Sequence, residues 1–317
     1  MQQTRRQFVT GLGSTAAASL VVGSFLRAAA EPIYPPIDLS YFDRPITPAP
    51  AEIRFGYAAI TWEGNDAQAA RDISEVGFRG IQLRANVLKD FDDNPKSVAQ
   101  LLQRHDLQLV ALSGGGPRGT NYVESEVVAT QVKQAGFLKA AGGMYLQMTD
   151  SARPKSSKPS RRDFKRLGRV LTEVGKRTTD LGVPLAYHNH IGSVGEQSDE
   201  VAAVMEASDP RYVRLLLDVA HYAQAGGDPA SAIRMYGDRI LFLHIKDVVT
   251  TVEGGSQFVE LGRGRVDLPD VFNALNEIKF RGWAIVELDR VPDKTRSAKE
   301  CAIISKKYIE EQLQLRV

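Results

Sequence analysis

Four of the five histidines stand at or just beyond the C-terminal ends of short apolar runs that read as β-strands. His188 and His190 belong to one such end, His221 follows a second, and His244 lies near the end of a third. The fifth, His105, falls at a helix end and draws no attention. Two carboxylates share the placement: Asp218 closes Leu215-Leu216-Leu217, and Glu287 closes Ala284-Ile285-Val286. Burying an unpaired carboxylate is costly, so each needs a cation at hand. That cation could be a Lys or Arg side chain. Asp218, His244 and Glu287, joined by His188, also form a compact oxygen-and-nitrogen set suited to one divalent ion. With no thiolate in the set, Mn²⁺, Co²⁺ and Zn²⁺ fit it about equally.

Residues two apart on a strand face the same way, roughly 6–7 Å from one another. His190 therefore shares a face with His188, and Lys246 with His244. A lysine beside a divalent ion feels like-charge repulsion that lowers its pKa, which would make it a neutral base; otherwise it pairs with Asp247 or Asp218. His221, three residues past Asp218, could orient a ligand, act as acid or base, or cap the next helix. Lys246, His190 and His221 are thus the catalytic candidates. Trp62, just past the first strand, offers an apolar platform for a sugar ring or a core aromatic. Gln147 on the fourth strand and Arg263 and Arg265 in the loop Gly262-Arg263-Gly264-Arg265-Val266-Asp267 complete the candidate substrate contacts. Asp228, in Gly226-Gly227-Asp228-Pro229, and Asp267 have the setting of helix N-caps.

The elements that must carry these side chains alternate regularly. Strands are expected over Ile53–Thr61, Gly80–Arg84, Leu107–Ser113, Met144–Thr149, Val183–His188, Val213–Asp218, Ile240–Lys246 and Trp283–Leu288. Amphipathic helical patterns lie between them, over Ala67–Val76, Ser97–His105, Val123–Ala140, Phe164–Leu181, Asp199–Ala207, Pro229–Tyr236, Leu268–Ile278 and Ser297–Gln312. Gly77, Gly142, Gly182 and Gly282 punctuate helix ends, where a positive φ is expected. Eight strand–helix units predict an α/β fold, a single (β/α)8 TIM barrel of parallel strands, with chemistry at the C-terminal strand ends. The open doubly wound alternative carries a glycine-rich first turn, and none follows the first strand.

The hydrophobic fraction of 43% and charged fraction of 25% suit a globular chain with a sizeable core. A formal charge of +2 gives no reason to expect nucleic acid or another polyanion. The basic run Arg153–Arg169 merges into a helical apolar spacing and reads as a solvated helix face. Cys301 is alone, which excludes an intrachain disulfide, and sits in an amphipathic stretch as a core thiol. At the N-terminus, Arg5-Arg6 precede an apolar stretch over Gly11–Leu26 and the small residues Ala28-Ala29-Ala30. Residues 1–30 resemble a twin-arginine export signal cleaved after Ala30, which implies the export machinery as partner and a periplasmic destination. Residues 31–52, rich in proline, read as a linker, and residues 53–317 as the catalytic domain.

The combination resembles the xylose isomerase-like TIM-barrel superfamily over roughly residues 53–315, nearest its inosose dehydratase-like branch. The resemblance rests on Gly56-Tyr57-Ala58-Ala59-Ile60-Thr61-Trp62, Tyr187-His188-Asn189-His190-Ile191-Gly192 and Leu217-Asp218-Val219-Ala220-His221. Ala225-Gly226-Gly227-Asp228-Pro229, His244-Ile245-Lys246-Asp247, the 262–267 loop and Glu287 extend it. It implies one divalent ion and a carbohydrate substrate with a carbonyl group. Many sugar epimerases of the superfamily carry a glutamate where His188 stands, serving as ligand and base, and Gln147 also replaces an expected acid. Epimerisation by two glutamates is thereby disfavoured, and proton loss α to a carbonyl followed by β-elimination becomes the leading expectation. Isomerisation through the same enediolate and a non-catalytic exported sugar-binding protein are the alternatives. A DNA-repair endonuclease shares the fold but implies a three-metal site with more histidines than this chain supplies.

Overall fold

The structure is a computed structural model that describes residues 52–117, 121–154 and 157–317. The export signal and most of the linker read from the sequence lie outside the described residues.

Eight strands close a parallel barrel: β1 (Ile53–Ala58), β2 (Gly80–Arg84), β3 (Gln108–Ser113), β4 (Tyr145–Met148), β5 (Leu185–His188), β6 (Val213–Asp218), β7 (Ile240–Ile245) and β10 (Gly282–Val286). Two further strands, β8 (Asp247–Thr250) and β9 (Ser256–Val259), pair antiparallel as a hairpin directly after β7. The helices are α1 (Asp66–Val76), α2 (Asn86–Asp90), α3 (Pro95–Arg104), α4 (Glu124–Ala140), α5 (Arg161–Asp180) and α6 (Ser198–Ala207). They continue with α7 (Val219–Gln224), α8 (Pro229–Tyr236), α9 (Leu268–Glu277) and α10 (Ala298–Lys307). The expected barrel is therefore present, with α2, α7 and the hairpin as elements the periodicity did not give. The expected first strand is shorter, because Ala59–Trp62 forms a 3-10 turn.

Why the barrel closes is legible in the period-two alternation of its strands. Leu215 and Leu217, Leu243 and Ile245, and Ala284 and Val286 pack outward against the helices. Ala186, Leu216, Phe242, Trp283 and Ile285 fill the lumen with Ala58 and Ala111. Tyr145 stacks on Phe242 with ring centroids 5.5 Å apart, and the lumen alanines are the small partners that leave room for these rings. Continuing the alternation two residues upward carries His188, Asp218, His244 and Glu287 into the layer above Ala186, Leu216, Phe242 and Ile285. Polar side chains, His190 beside His188 and Lys246 beside Asp218 and Glu287, stand next to that layer, and polarity becomes tolerable there.

Helix ends follow the expected chemistry with one exception. Asp228 and Asp267 cap α8 and α9 by accepting from Ala230 N and Asp270 N. Gly77, Gly142 and Gly182 have positive φ, but Gly282 does not: it opens β10, and Lys279 takes the left-handed position after α9 with φ 53°. Cys301 is buried and donates to Glu260 Oε1 at 3.3 Å. Burial pushes its thiol up to about 12, which leaves it protonated. The basic run supplies ion pairs: Arg153 grips the buried Glu200 at 2.6 Å, and Arg166 and Arg169 hold Glu124 at the surface.

Candidate metal centre

Strand register brings the four ligand candidates together. Asp218 on β6 lies beside His244 on β7, and His244 lies beside Ile285 on β10. Glu287 follows one residue past β10, its N–H donating to Ile245 O. His188 ends β5, and the side chain of the next residue, Asn189, continues the sheet pairing by accepting from Asp218 N at 2.9 Å and donating to Asp218 O at 3.2 Å. Two imidazole nitrogens and two carboxylate oxygens from these residues lie within 4.8 Å of one another. Two metal–ligand bonds of roughly 2.0–2.5 Å span about that distance.

The donor atoms are what make the cluster fit a cation. His188 Nδ1, His244 Nδ1 and Asp218 Oδ2 are buried without a well-aligned hydrogen bond, His244 Nδ1 lying 3.1 Å from Glu287 Oε2 and 3.4 Å from Asp218 Oδ2. Buried polar atoms are ordinarily satisfied, so three such atoms converging on one point call for a ligand. Asp218 divides its labour: Oδ1 caps α7 by accepting from Ala220 N at 2.9 Å and His221 N at 2.8 Å, which leaves Oδ2 for the ion. His221 was a candidate for capping the following helix, but it lies inside α7, and the helix after it, α8, is capped by Asp228. Burial holds His188 well below its usual pKa, so its imidazole is neutral and ready to donate a lone pair. Burial also opposes charge on His244, but Glu287 and Asp218 outweigh it and raise the group to about 9. Burial acts against the Glu287 carboxylate too, and the charges of His244 and Lys246 hold it well below the ordinary range.

The next layer faces the barrel mouth. Lys246 is fully buried, with Nζ 3.1 Å from Glu287 Oε2, 2.5 Å from Asp289 Oδ1 and 3.9 Å from the centre of the Phe258 ring. Burial alone would lower its pKa, but Glu287, Asp218 and Asp289 together raise it. Without an ion the amine is therefore held as an ammonium; the neutral base read from the sequence is an expectation for the ion-loaded site. Asp247 is not the partner, because the next residue on a strand points the other way. His221 lies with Nε2 3.5 Å from Lys246 Nζ, and burial keeps it well below its usual pKa. His190 is half-buried, its ring 4.0 Å from that of His221. Its Nδ1 sits 2.7 Å from Ile191 O, which can only accept, so Nδ1 carries the proton and Nε2 presents a lone pair.

The candidate substrate contacts do not gather here. Trp62 is buried, set edge-on to Tyr57, and donates from Nε1 to Asp72 on α1 at 2.8 Å, so it is a core aromatic rather than a platform. Phe258, from the hairpin, is the aromatic that reaches the mouth, lying 4.9 Å from the His221 ring as well as over Lys246. Gln147 is buried and accepts from Gln82 Nε2. Arg263 pairs with Glu260 at 3.6 Å, and Arg265 donates to Ala223 O. The glycine loop is likewise occupied: N–H groups of Gly262, Gly264 and Val266 all donate to the Asp247 carboxylate. It cradles a side chain of its own protein, not substrate oxygens. A Cβ on Gly264 would collide with that carboxylate. Gly264→Ala is accordingly expected to destabilise by about 1–3 kcal/mol, read as a fall in melting temperature of roughly 2–12 °C; an unchanged melting temperature would mean that the loop yields freely.

Gln82, Asn189, Asp289 and Phe258 went unnoticed in the sequence. Asp289 and Gln82 obey the same period-two rule that exposed Lys246 and the ligands, two residues past Glu287 and two past Gly80.

Comparison with known proteins agrees with this architecture. Residues 70–307 match the family described as xylose isomerase-like TIM barrel. An inosose dehydratase from Lacticaseibacillus casei is 26% identical over 294 residues, covering 81% of this chain and 96% of the relative. The rhizopine catabolism protein MocC from Rhizobium meliloti is 28% identical over 279 residues, covering 76% and 83%. Among solved structures, the IOLI protein with a binding zinc atom superposes with a TM-score of 0.68 at 20% identity, covering 82% of this chain and 98% of that one. Parallel closure, polar residues gathered at the C-terminal strand ends and a match across most of the barrel have one reading: the chain belongs to the xylose isomerase-like TIM barrel family.

Proposed function

We propose that this protein is a divalent-metal-dependent lyase that removes the proton α to the carbonyl of a keto-cyclitol, keto-sugar or keto-glycoside and expels a β-substituent. The observation that carries the reading is the convergence of three donor atoms without a well-aligned hydrogen bond and Glu287 beneath a layer holding His190, His221 and Lys246. Relatives named inosose dehydratase support the keto-cyclitol class. His188, Asp218, His244 and Glu287 would hold the ion, which when bound supplies Lewis-acid stabilisation of negative charge on a substrate oxygen.

The chain's own residues divide the remaining work. His190 Nε2 has the free lone pair and the partial exposure that a base toward the α-proton needs. Lys246 stays an ammonium between Glu287 and Asp289 and adds positive charge where negative charge develops. His221, held neutral beside it by burial, orients the substrate through a hydrogen bond, and the proton that His190 has taken up passes to the departing β-oxygen. Phe258 roofs Lys246 and keeps water from the pair.

The test is to follow a keto-inositol and a 3-keto-glucoside by NMR in D₂O with metal-loaded protein. An enone product establishes elimination. Deuterium exchange with an isomeric product and no enone would make the protein an isomerase or epimerase, and metal and sugar binding without turnover would make it a binding protein. His190→Gln is expected to retain the metal while lowering turnover by about 10²–10⁴-fold; full turnover in this variant would remove His190 as the base.

The N-terminal segment supports export as part of the same proposal, and a periplasmic site would favour unphosphorylated substrates. Replacing Arg5 and Arg6 with lysine should retain the protein in the cytoplasm, as cell fractionation would record.

A further inference from the structure

We infer that Gln82 and Gln147 form an amide relay that decides which ring nitrogen of His244 faces the metal. The inference rests on the reading that the four-residue cluster holds a divalent ion. Three strands supply the relay across the lumen: His244 on β7, Gln82 on β2 and Gln147 on β4. His244 Nε2 lies 3.0 Å from Gln82 Oε1, and Gln82 Nε2 donates to Gln147 Oε1 at 2.8 Å. All three side chains are buried, with Gln82 2% and Gln147 3% exposed, so water cannot substitute for either amide.

Once it ligates an ion, His244 is a neutral imidazole with one N–H and one lone pair. The Gln82 carbonyl can only accept, so it requires the proton on Nε2 and leaves the lone pair on Nδ1, the atom that faces Asp218 and Glu287. Turning the Gln82 amide over would reverse this, presenting an NH₂ to Nε2 and driving the proton onto Nδ1. Gln147 opposes the turn: with its own amide placed as here, its Oε1 would then meet another carbonyl oxygen. Histidine ligands are commonly fixed through the nitrogen away from the metal, most often by a carboxylate or a backbone carbonyl. Here two neutral amides do it. The relay adds no charge, so the two ligand carboxylates alone balance a divalent ion. This accounts for an amide at position 147, where resemblance to the family led us to expect an acid. Gln82 and Gln147 are positioning residues, acting through His244.

The experiment uses the full chain stripped of metal, with Zn²⁺ as probe and a chromophoric chelator as competitor, alongside ¹⁵N NMR of the histidine rings in the metal-free and zinc-loaded protein. Gln82→Leu is expected to weaken Zn²⁺ binding by about 10–100-fold and to abolish the protected Nε2–H resonance of His244. Gln82→Glu, which keeps an acceptor, is expected to restore both. Gln147→Leu should leave Gln82 in place but free to turn, giving a His244 Nε2–H that exchanges faster with water and an intermediate affinity; it also tests the relay if Gln82→Leu fails to fold. Wild-type affinity together with an unchanged His244 spectrum in Gln82→Leu would overturn the inference. If the wild-type protein itself takes up no zinc, the metal reading fails, while protection of the His244 Nε2–H in the metal-free variants still judges whether Gln82 and Gln147 hold that proton.

Discussion

Asp218→Asn is expected to fold and to lose its metal. The two oxygens of Asp218 serve different ends: Oδ1 accepts from Ala220 N and His221 N, and Oδ2 faces the ligand cluster, 3.4 Å from His244 Nδ1. Asparagine caps a helix about as well as aspartate, so α7 keeps its start. The second position becomes an NH₂, which can only donate, aimed at atoms that must also bind the ion. Affinity should fall by more than about 100-fold, the upper end of what loss of a supporting hydrogen bond costs. Turnover should fall by about 10³-fold or more, equivalent to about 4 kcal/mol of lost charge stabilisation. Asp218→Ala removes the cap as well, and should cost about 1 kcal/mol more in stability than Asp218→Asn. Metal content after dialysis and calorimetric melting separate the two roles. Full metal content in the asparagine variant would exclude Asp218 as a ligand.

That division of labour illustrates what the sequence could and could not reveal. The ligand positions were legible because each breaks an otherwise apolar strand at its C-terminal end, and strand periodicity fixes which way such a residue points. Barrel closure was legible for the same reason, from eight alternating runs. What one atom of a side chain does while the other does something else depends on register between β6 and β7 and on the start of α7, which no local pattern encodes. The hairpin β8–β9 was missed because Asp247–Thr250 continues directly from β7, and the turn between its strands resembles an ordinary loop. Its consequence is Phe258, brought over Lys246 by antiparallel pairing rather than by proximity in the chain. Trp62 shows the converse. It adjoins the rim in sequence, but the 3-10 turn and the acceptor on Asp72 draw its indole into the barrel–helix interface. The glycine loop misled for an electrostatic reason: a chain of free N–H groups attracts any carboxylate, and Asp247 is the one within reach.

Lys246→Met is expected to have a larger effect on the metal-free protein than on the loaded one. In the metal-free site Lys246 is a buried counter-ion to Glu287 and Asp289, with Asp218 3.9 Å away. Removing one partner of a buried ion pair leaves the other charge uncompensated, at a cost of about 3–5 kcal/mol. For a domain of this size that is a drop in melting temperature of roughly 6–20 °C. With the ion in place, Glu287 has a second cation to balance it, and the same substitution should cost measurably less. Turnover in the loaded variant should nevertheless fall by about 10²–10⁴-fold, since the ammonium facing the mouth is gone while the metal remains. Calorimetry on the metal-free and loaded forms therefore tests the ligand role of Glu287 and the charge role of Lys246 together. Equal destabilisation in both forms would mean that Glu287 gains nothing from the ion and is not its ligand. Destabilisation confined to the metal-free form, with full turnover when loaded, would leave Glu287 in the site and reduce Lys246 to a structural counter-ion. The geometry favours neither of these outcomes, because one ammonium touches both a ligand carboxylate and Asp289 at the open side of the layer, and so couples the charge of the metal site to the place where substrate must enter.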